Sequence, residues 1–358
     1  MDATLRFLRG ALRLPNVALT VVSQEPAERM PADLRNAVAG HWRVDDALDP
    51  QQLVDAAQHL EVGFGRPVSY MAALEQLQVP LAIAREVLGI DGLSSQAARN
   101  FRDKSRMKDV LRGAGVPCAR HALVGSRAQA IAFIEQVGFP VVVKPPDHSF
   151  DSVMVDGKPV WHSISRYMPS PLEVLENAWI QWCVLLPRDI SGPEYDPIRE
   201  AGIEANRVLG LKTGLSHMEW FRKASGDIAI SEVGARPPGA QFSTLLSYAH
   251  DVDFYRAWPH LMVYREFDPP IREYAAGAAY IRGQGRGRVK RIVGIDEVQH
   301  RFGSIVVEAK LPHEGQPPSD SYEGDGYIIV RHPDTDVVQD ALQQISALNV
   351  PLSISVKP

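Results

Sequence analysis

The sequence is poor in cysteine and in lysine. Its 358 residues include only two cysteines, Cys118 and Cys183. They are too few and too far apart for a disulfide framework or a CxxC metal site, so they read as small buried hydrophobes of a protein from a reducing compartment, the cytoplasm. Nine lysines stand against 29 arginines, and none precedes Lys104. No apolar run reaches the length of a membrane span, and Arg6, Arg9 and Arg13 interrupt the N-terminal one, so neither a signal peptide nor a membrane anchor is expected. Positive charge is not in excess either: 38 Lys+Arg against 43 Asp+Glu give a net charge of -5. That balance provides no general drive toward nucleic acid or anionic membrane, so any bound anion must be held by local groups. With 45% hydrophobic and 23% charged residues, the chain reads as a globular protein of two or three domains.

Residues 1–100 alternate short apolar runs with helical patterns, as a parallel α/β layer does. Val17 to Val22 reads as a buried strand, Asp49-Pro50 as the cap and first turn of a helix through Leu60, and Pro80 to Leu88 as a helix stopped by Gly89. No GxGxxG follows the first strand, so a dinucleotide site is not expected there. Next, Asp103 is placed to cap a helix from Lys104 to Arg112, with a strand near His121 to Val124. Ser126 and Gln129 have capping-box spacing before a helix ending at Gly138, and Pro140 to Lys144 reads as a strand. Asp156-Gly157 is a hairpin turn, and Ile198 to Leu209 a helix closed by Gly210. Beyond residue 267 strands and turns precede one late helix, Asp336 to Leu348, after a strand Tyr327 to Arg331. The expected organisation is an α/β domain over 1–100, a central domain over 101–267 and a smaller α+β unit over 268–358.

The most informative segment is Ser216 to Val233. Two strands flank Ser225-Gly226, and a turn centred there sets Glu219 opposite Glu232. Cross-strand partners have Cβ atoms about 4.5 to 5.5 Å apart, and like charges so placed are destabilising unless a cation lies between them. Mg²⁺ favours one or two carboxylates completed by waters and substrate phosphates, so a Mg²⁺-polyphosphate site is expected. The alternatives are a register one residue off, or a solvated face on which one glutamate pairs with Arg222 or Lys223. Arg236 leaves the same strand four residues after Glu232, with Pro237 and Pro238 stiffening the exit. Its planar fork suits phosphoryl or carboxylate oxygens.

Lys144 ends the run Pro140-Val141-Val142-Val143, and Lys104 opens a helix where the macrodipole disfavours a cation. Together they read as phosphate ligands, and singly as snorkelling surface lysines. Gly283-Gln284-Gly285-Arg286-Gly287 lies between strand-like segments and reads as a turn rather than a phosphate cradle. His162, Arg166 and Tyr167 lie just past the Asp-Gly turn in a polar stretch that could border a substrate cleft, although a lone histidine is more often structural.

In order, the helix-opening Lys104, "GFPVVVKP" ending near Lys144, the hairpin "HMEWFRKASGDIAISEVGARPPG" and a closing α+β unit resemble the ATP-grasp superfamily, most closely its biotin carboxylase and formate-using glycinamide ribonucleotide transformylase branch. The resemblance implies an ATP-grasp fold of α/β and α+β parts, with a Rossmann-like pre-ATP-grasp layer first. It also implies Mg²⁺ and ATP, a carboxylate phosphorylated to an acyl phosphate, and an amine as acceptor. By motif, Lys104 and Lys144 would hold ATP phosphates, Glu219 and Glu232 the Mg²⁺, and Arg236 the transferred phosphoryl or acyl phosphate. A homodimer would be unsurprising.

Two departures stand out. Where the family often has Asn two residues after the second glutamate, this chain has Gly234. Only Pro145-Pro146-Asp147 separate Lys144 from the strand "HSFDSVMVDGKPVW", too few for a crossover to a parallel neighbour, so the second half of the nucleotide lid is missing after residue 146. That gap motivates the competing expectation of a non-catalytic relative that binds nucleotide or metabolite as a sensor or scaffold.

Overall fold

A computed structural model of the chain describes residues 2–122, 124–138, 148–169, 181–223, 225–283, 287–317, 319 and 323–347. The strand expected over 140–144, Lys144 itself, the short link after it and the centre of the glycine-rich stretch lie outside these residues.

The N-terminal elements are α1 (Asp2–Ala11), β1 (Thr20–Ser23), α2 (Ala32–Ala37), β2 (Gly40–Arg43), α3 (Pro50–Phe64), α4 (Gln78–Leu88) and α5 (Ser95–Arg102), with a 3-10 turn Glu75–Leu77 before α4. Asp49 caps α3, accepting from the Gln51 N–H, and Gly89 ends α4 in the left-handed region at φ 63°. β1 and β2 pair in parallel, Thr20 opposite Gly40. The strand expected to be buried from Val17 is thus four residues long and half-buried, because among the described residues it pairs with β2 alone, and α3 packs beside it.

Two capped helices follow, α6 (Lys104–Gly113) and α7 (Arg127–Val137). Asp103 caps α6 through Oδ1, which accepts from the N–H groups of Ser105 and Arg106 at 2.9 and 3.0 Å. Ser126 caps α7, and Gln129 reaches back one residue further than a standard box, to the Gly125 N–H at 2.7 Å.

The remaining elements are β3 (His148–Val155), β4 (Lys158–Met168), β5 (Trp182–Leu186), α8 (Asp196–Leu209), β6 (Gly214–Arg222), β7 (Ile228–Gly234), α9 (Phe242–His250), α10 (Phe254–Tyr264), β8 (Ala275–Ile281), α11 (Ile295–Phe302), β9 (Val306–Lys310), β10 (Gly326–His332) and α12 (Thr335–Ala347). Among the described residues eight strands form one sheet in the order β7-β6-β3-β4-β5-β8-β10-β9, and every neighbouring pair is antiparallel. Asp156 and Gly157 both take positive φ, 48° and 78°, the backbone that a two-residue hairpin of this hand requires.

Two expectations change. The described residues of the strand expected near His121 are not extended into a ladder; that stretch instead makes one parallel bridge, Cys118 to Ile230, on the edge of β7. A second late helix, α11, precedes α12; its first turn carries Asp296 and Glu297 and its last His300 and Arg301, charges that complement the helix dipole. The strands beyond residue 267 join the same sheet as β3 to β7.

Strand alternation gives the sheet two covered faces. On one, Val153, Trp161, Tyr167, Trp182, Leu215 and Tyr280 pack under α9 and α10, and Phe7 of α1 joins them. On the other, Phe150, Met154, Ile164, Met218, Trp220 and Ile230 pack with residues of α6 and α8. Burying each such side chain contributes about 1.5 to 3 kcal/mol, so the polar residues left inside these layers need a separate explanation.

Candidate active site

Glu219 and Glu232 are direct cross-strand partners in β6 and β7, as the sequence predicts, but by a different route. The turn is one residue longer than a two-residue loop: the Lys223 N–H bonds Asp227 O at 2.7 Å and Gly226 sits at φ 92°. That offset pairs Trp220 with Ile230, and a β-bulge at Ser231 then adds a residue and returns Glu232 to Glu219. Two shifts of one residue cancel.

Around this pair the charges converge. Lys104, in the first turn of α6, places Nζ 2.5 Å from Glu232 Oε2. The anion that its unfavourable place on the helix dipole demands is therefore one of the two glutamates. Arg236 leaves β7 and donates from Nη1 to Pro237 O and from Nη2 to Glu75 Oε2, each at 2.9 Å, while its Nε is buried with no partner among the described residues. Burial, the largest influence, pushes the Glu219 carboxyl above the ordinary glutamate value, and Glu232 adds to it against the pull of His217, Lys104 and Arg236. A half-buried, like-charged pair with Lys104 beside it is short of positive charge.

The donors suit a hard cation. Among the described residues no group of three or more His, Cys, Asp or Glu can hold a metal, so a closed protein cage is not what these strands build. Two carboxylates with open coordination left over match the way Mg²⁺ is held alongside phosphate oxygens. Gly234, in place of a third side-chain ligand, leaves that open.

Sequence reasoning missed three residues here. His217 precedes Glu219 by two and shares its face, and its Nδ1 donates to Asp151 Oδ1 at 2.7 Å. Burial favours the neutral imidazole, but the charge and hydrogen bond of Asp151 outweigh it, so its pKa is raised above the ordinary histidine value. Period-two alternation from Glu219 could have found His217, and the single acid within "HSFDSVMV" could have found Asp151. Glu75 had no local signal, since Arg236 and Arg102 reach it from distant segments.

The weaker substrate candidates separate. His162 and Arg166 alternate onto the opposite face, where His162 stacks on Phe150 at 5.5 Å and Arg166 donates to the Tyr195 hydroxyl. The sheet therefore does not bring either to the glutamate pair. Tyr167 is on the glutamates' face but is 7% exposed, against Trp182 and Phe242 in the core.

The fold is that of the ATP-grasp proteins. The L-amino acid ligase of Bacillus licheniformis superimposes with a TM-score of 0.74 at 18% identity, over 97% of this chain and 95% of that one. The glycinamide-RNase-transformylase T of Mycobacterium tuberculosis gives 0.67 at 13% identity, over 96% of each. In sequence, the chain is 22% identical over 271 residues to the L-arginine-specific L-amino acid ligase of Bacillus subtilis, covering 63% of this chain. The chain spans 65% of that relative's length. No family model matches the chain. No helix among the described residues is long and apolar enough to cross a membrane.

Proposed function

We propose that the protein is an ATP- and Mg²⁺-dependent ligase that activates a carboxylate as an acyl phosphate and joins it to an amine. The observation that carries this reading is the opposed pair Glu219 and Glu232, flanked by Lys104 and Arg236 at one end of the sheet. The two glutamates would hold Mg²⁺, which when bound supplies charge neutralisation between the phosphate oxygens. Lys104 and Lys144 contact the ATP phosphates, and Lys104 leaves Glu232 to do so. A carboxylate oxygen of the first substrate attacks the γ-phosphorus and ADP departs. The amine then attacks the acyl carbon, loses a proton, and inorganic phosphate leaves. Arg236 stabilises the charge that builds on the transferred group at both steps.

The amino acid ligases among the similar proteins support amino acids as both carboxylate and amine. The division into a pre-ATP-grasp unit over 1–100, a central unit over 101–267 and a closing unit over 268–358 belongs to the same reading, as do a cytoplasmic location and a homodimer. The test is ADP release across paired panels of carboxylates and amines. Glu219→Gln and Glu232→Gln should each abolish Mg²⁺-dependent turnover, and full turnover in both rejects the site.

One observation favours a second reading. Only three residues join Lys144 to β3, where closure over the phosphates needs more chain. A nucleotide-binding sensor or scaffold would bind Mg-ATP in calorimetry and release no ADP with any substrate pair.

A further inference from the structure

A second arginine shares with Arg236 a buried Nε that has no partner among the described residues: Arg85 of α4, which is 4% exposed. Its Nη1 donates to Tyr70 O at 2.9 Å and its Nη2 to Leu93 O at 3.0 Å. A guanidinium carries five N–H donors, so more than half of them are left over. Both acceptors are uncharged. Glu86, the acid that acts on this arginine, is exposed and accepts from the Ser95 N–H at 2.7 Å. Burial pulls the Arg85 pKa down to about 10, which still leaves it a cation at neutral pH. Buried charges are ordinarily paired, and this one has no carboxylate against it among the described residues.

Arg85 lines a cavity of about 20 Å³ whose walls come from the N-terminal elements, from the start of β6 and from α10. Met71, Leu93, Leu211, Leu215, Trp258 and Met262 make those walls apolar, and no Asp or Glu is among the lining residues. The other polar side chains there are Gln78 and Thr213. The Gln78 amide nitrogen is committed to Ala72 O and Leu74 O at 2.8 and 3.1 Å, and Thr213 Oγ1 to the N–H and Oδ1 of Asp156 at 3.0 and 3.4 Å. A Cβ at Gly92 would stand 2.8 Å from Arg85 Nε, so the glycine leaves that nitrogen unobstructed on its side. Space of this size admits one guest about as large as a water molecule, and no amino acid or nucleotide. A water needs acceptors for its protons as well as donors, whereas a monatomic anion needs donors alone. Free N–H groups on a cation, apolar walls and no competing carboxylate suit the anion.

We propose that this cavity is a halide site: a chloride ion accepts from the Arg85 guanidinium, neutralises it, and braces the N-terminal elements against the sheet. Ala235 of the lining directly precedes Arg236, and Ala72 and Gln78 bracket Glu75 in the chain. The ion therefore ties together the same two segments that the Glu75–Arg236 pair joins.

The test compares thermal scans in sodium chloride, sodium bromide and sodium gluconate at one ionic strength, for the wild type and Arg85→Met. An ion that binds the folded chain alone raises Tm by mass action, so the wild type should melt about 2 °C higher in about 200 mM chloride or bromide than in gluconate. Arg85→Met should melt at the same temperature in all three salts. Crystals of the wild type soaked in bromide should show an anomalous peak within hydrogen-bond reach of Arg85, a readout that stands even if Arg85→Met does not fold. The inference is overturned if the wild type melts alike in chloride and gluconate, or if a folded Arg85→Met keeps the chloride response. It is equally overturned if the bromide peaks leave the cavity out, which would make the guest of Arg85 a water.

Discussion

Glu75 Oε2 and Arg236 Nη2 lie 2.9 Å apart, joining the 3-10 turn of the N-terminal segment to the exit of β7. Arg102 approaches the other oxygen at 3.3 Å. Burial pushes the Glu75 carboxyl up, but Arg236, Arg102 and Lys104 together hold it below the ordinary glutamate value. A carboxylate with a depressed folded pKa contributes stability that is fully present above its unfolded pKa and is lost as pH falls through the folded one. Glu75→Gln should therefore lower Tm at neutral pH and flatten its decline between about pH 5 and pH 3. Thermal scans across that range check it, and parallel profiles for the two proteins would show that the pair contributes nothing.

The glutamate pair makes the opposite prediction. Burial raises the Glu219 pKa, so its ionised form opposes folding at neutral pH and the cost lessens as pH falls. In EDTA at pH 7, Glu219→Gln should raise stability by up to about 1 kcal/mol, the scale of a removed like-charge cross-strand contact. The same variant should lose the Tm increase that Mg-ADP gives the wild type. A variant less stable in EDTA would show that the carboxylates are not in conflict.

Arg236→Lys keeps the charge and loses the planar fork. ADP release should fall by about 10² to 10³, the usual loss for one donor to developing charge. Calorimetric Mg-ADP affinity should change by only a few fold. Loss of both in proportion would place Arg236 on the nucleotide rather than on the transferred group.

Gly277 of β8 lies under α12, where an added Cβ would meet Leu342 Cδ1 at 2.4 Å and Val184 O at 2.9 Å. The leucine can turn aside but the carbonyl cannot. Gly277→Ala should cost about 1 to 3 kcal/mol, as overpacked cores do, and appear as a lower Tm. Unchanged melting would mean that the β5–β8 ladder yields more readily than a central strand pair should.

Much of this was legible in the sequence where a signal was local. Asp49 and Asp103 mark helix starts by side-chain capping, Gly89 and Gly210 mark ends by left-handed backbone, and Asp156-Gly157 sets a hairpin; each acts within a few residues. The Glu219–Glu232 pairing was inferred correctly although the turn was placed one residue off, because the bulge at Ser231 compensates. That bulge was itself readable: the residues of β7 that enter the core are Ile228, Ile230 and then Val233, a step of three where a regular strand steps by two. The parts that escaped are contacts between distant segments. Glu75 meets Arg236 across 161 positions, and Asp151 meets His217 across 66. No periodicity reports a meeting that only the sheet order brings about.

The docking of α1 on α10 inverts the order of manufacture and assembly. Phe7 completes its ring cluster with Tyr255 and Trp258, and Gly10 sits so close that an added Cβ would stand 1.9 Å from Tyr255 O. At ribosomal speeds of about 5 to 20 residues per second, α1 emerges roughly 12 to 50 s before the surface it covers has been made. An apolar segment thus waits long for the surface that covers it, so a nascent chain stalled before residue 254 should be a better target for chaperones than one that includes α10.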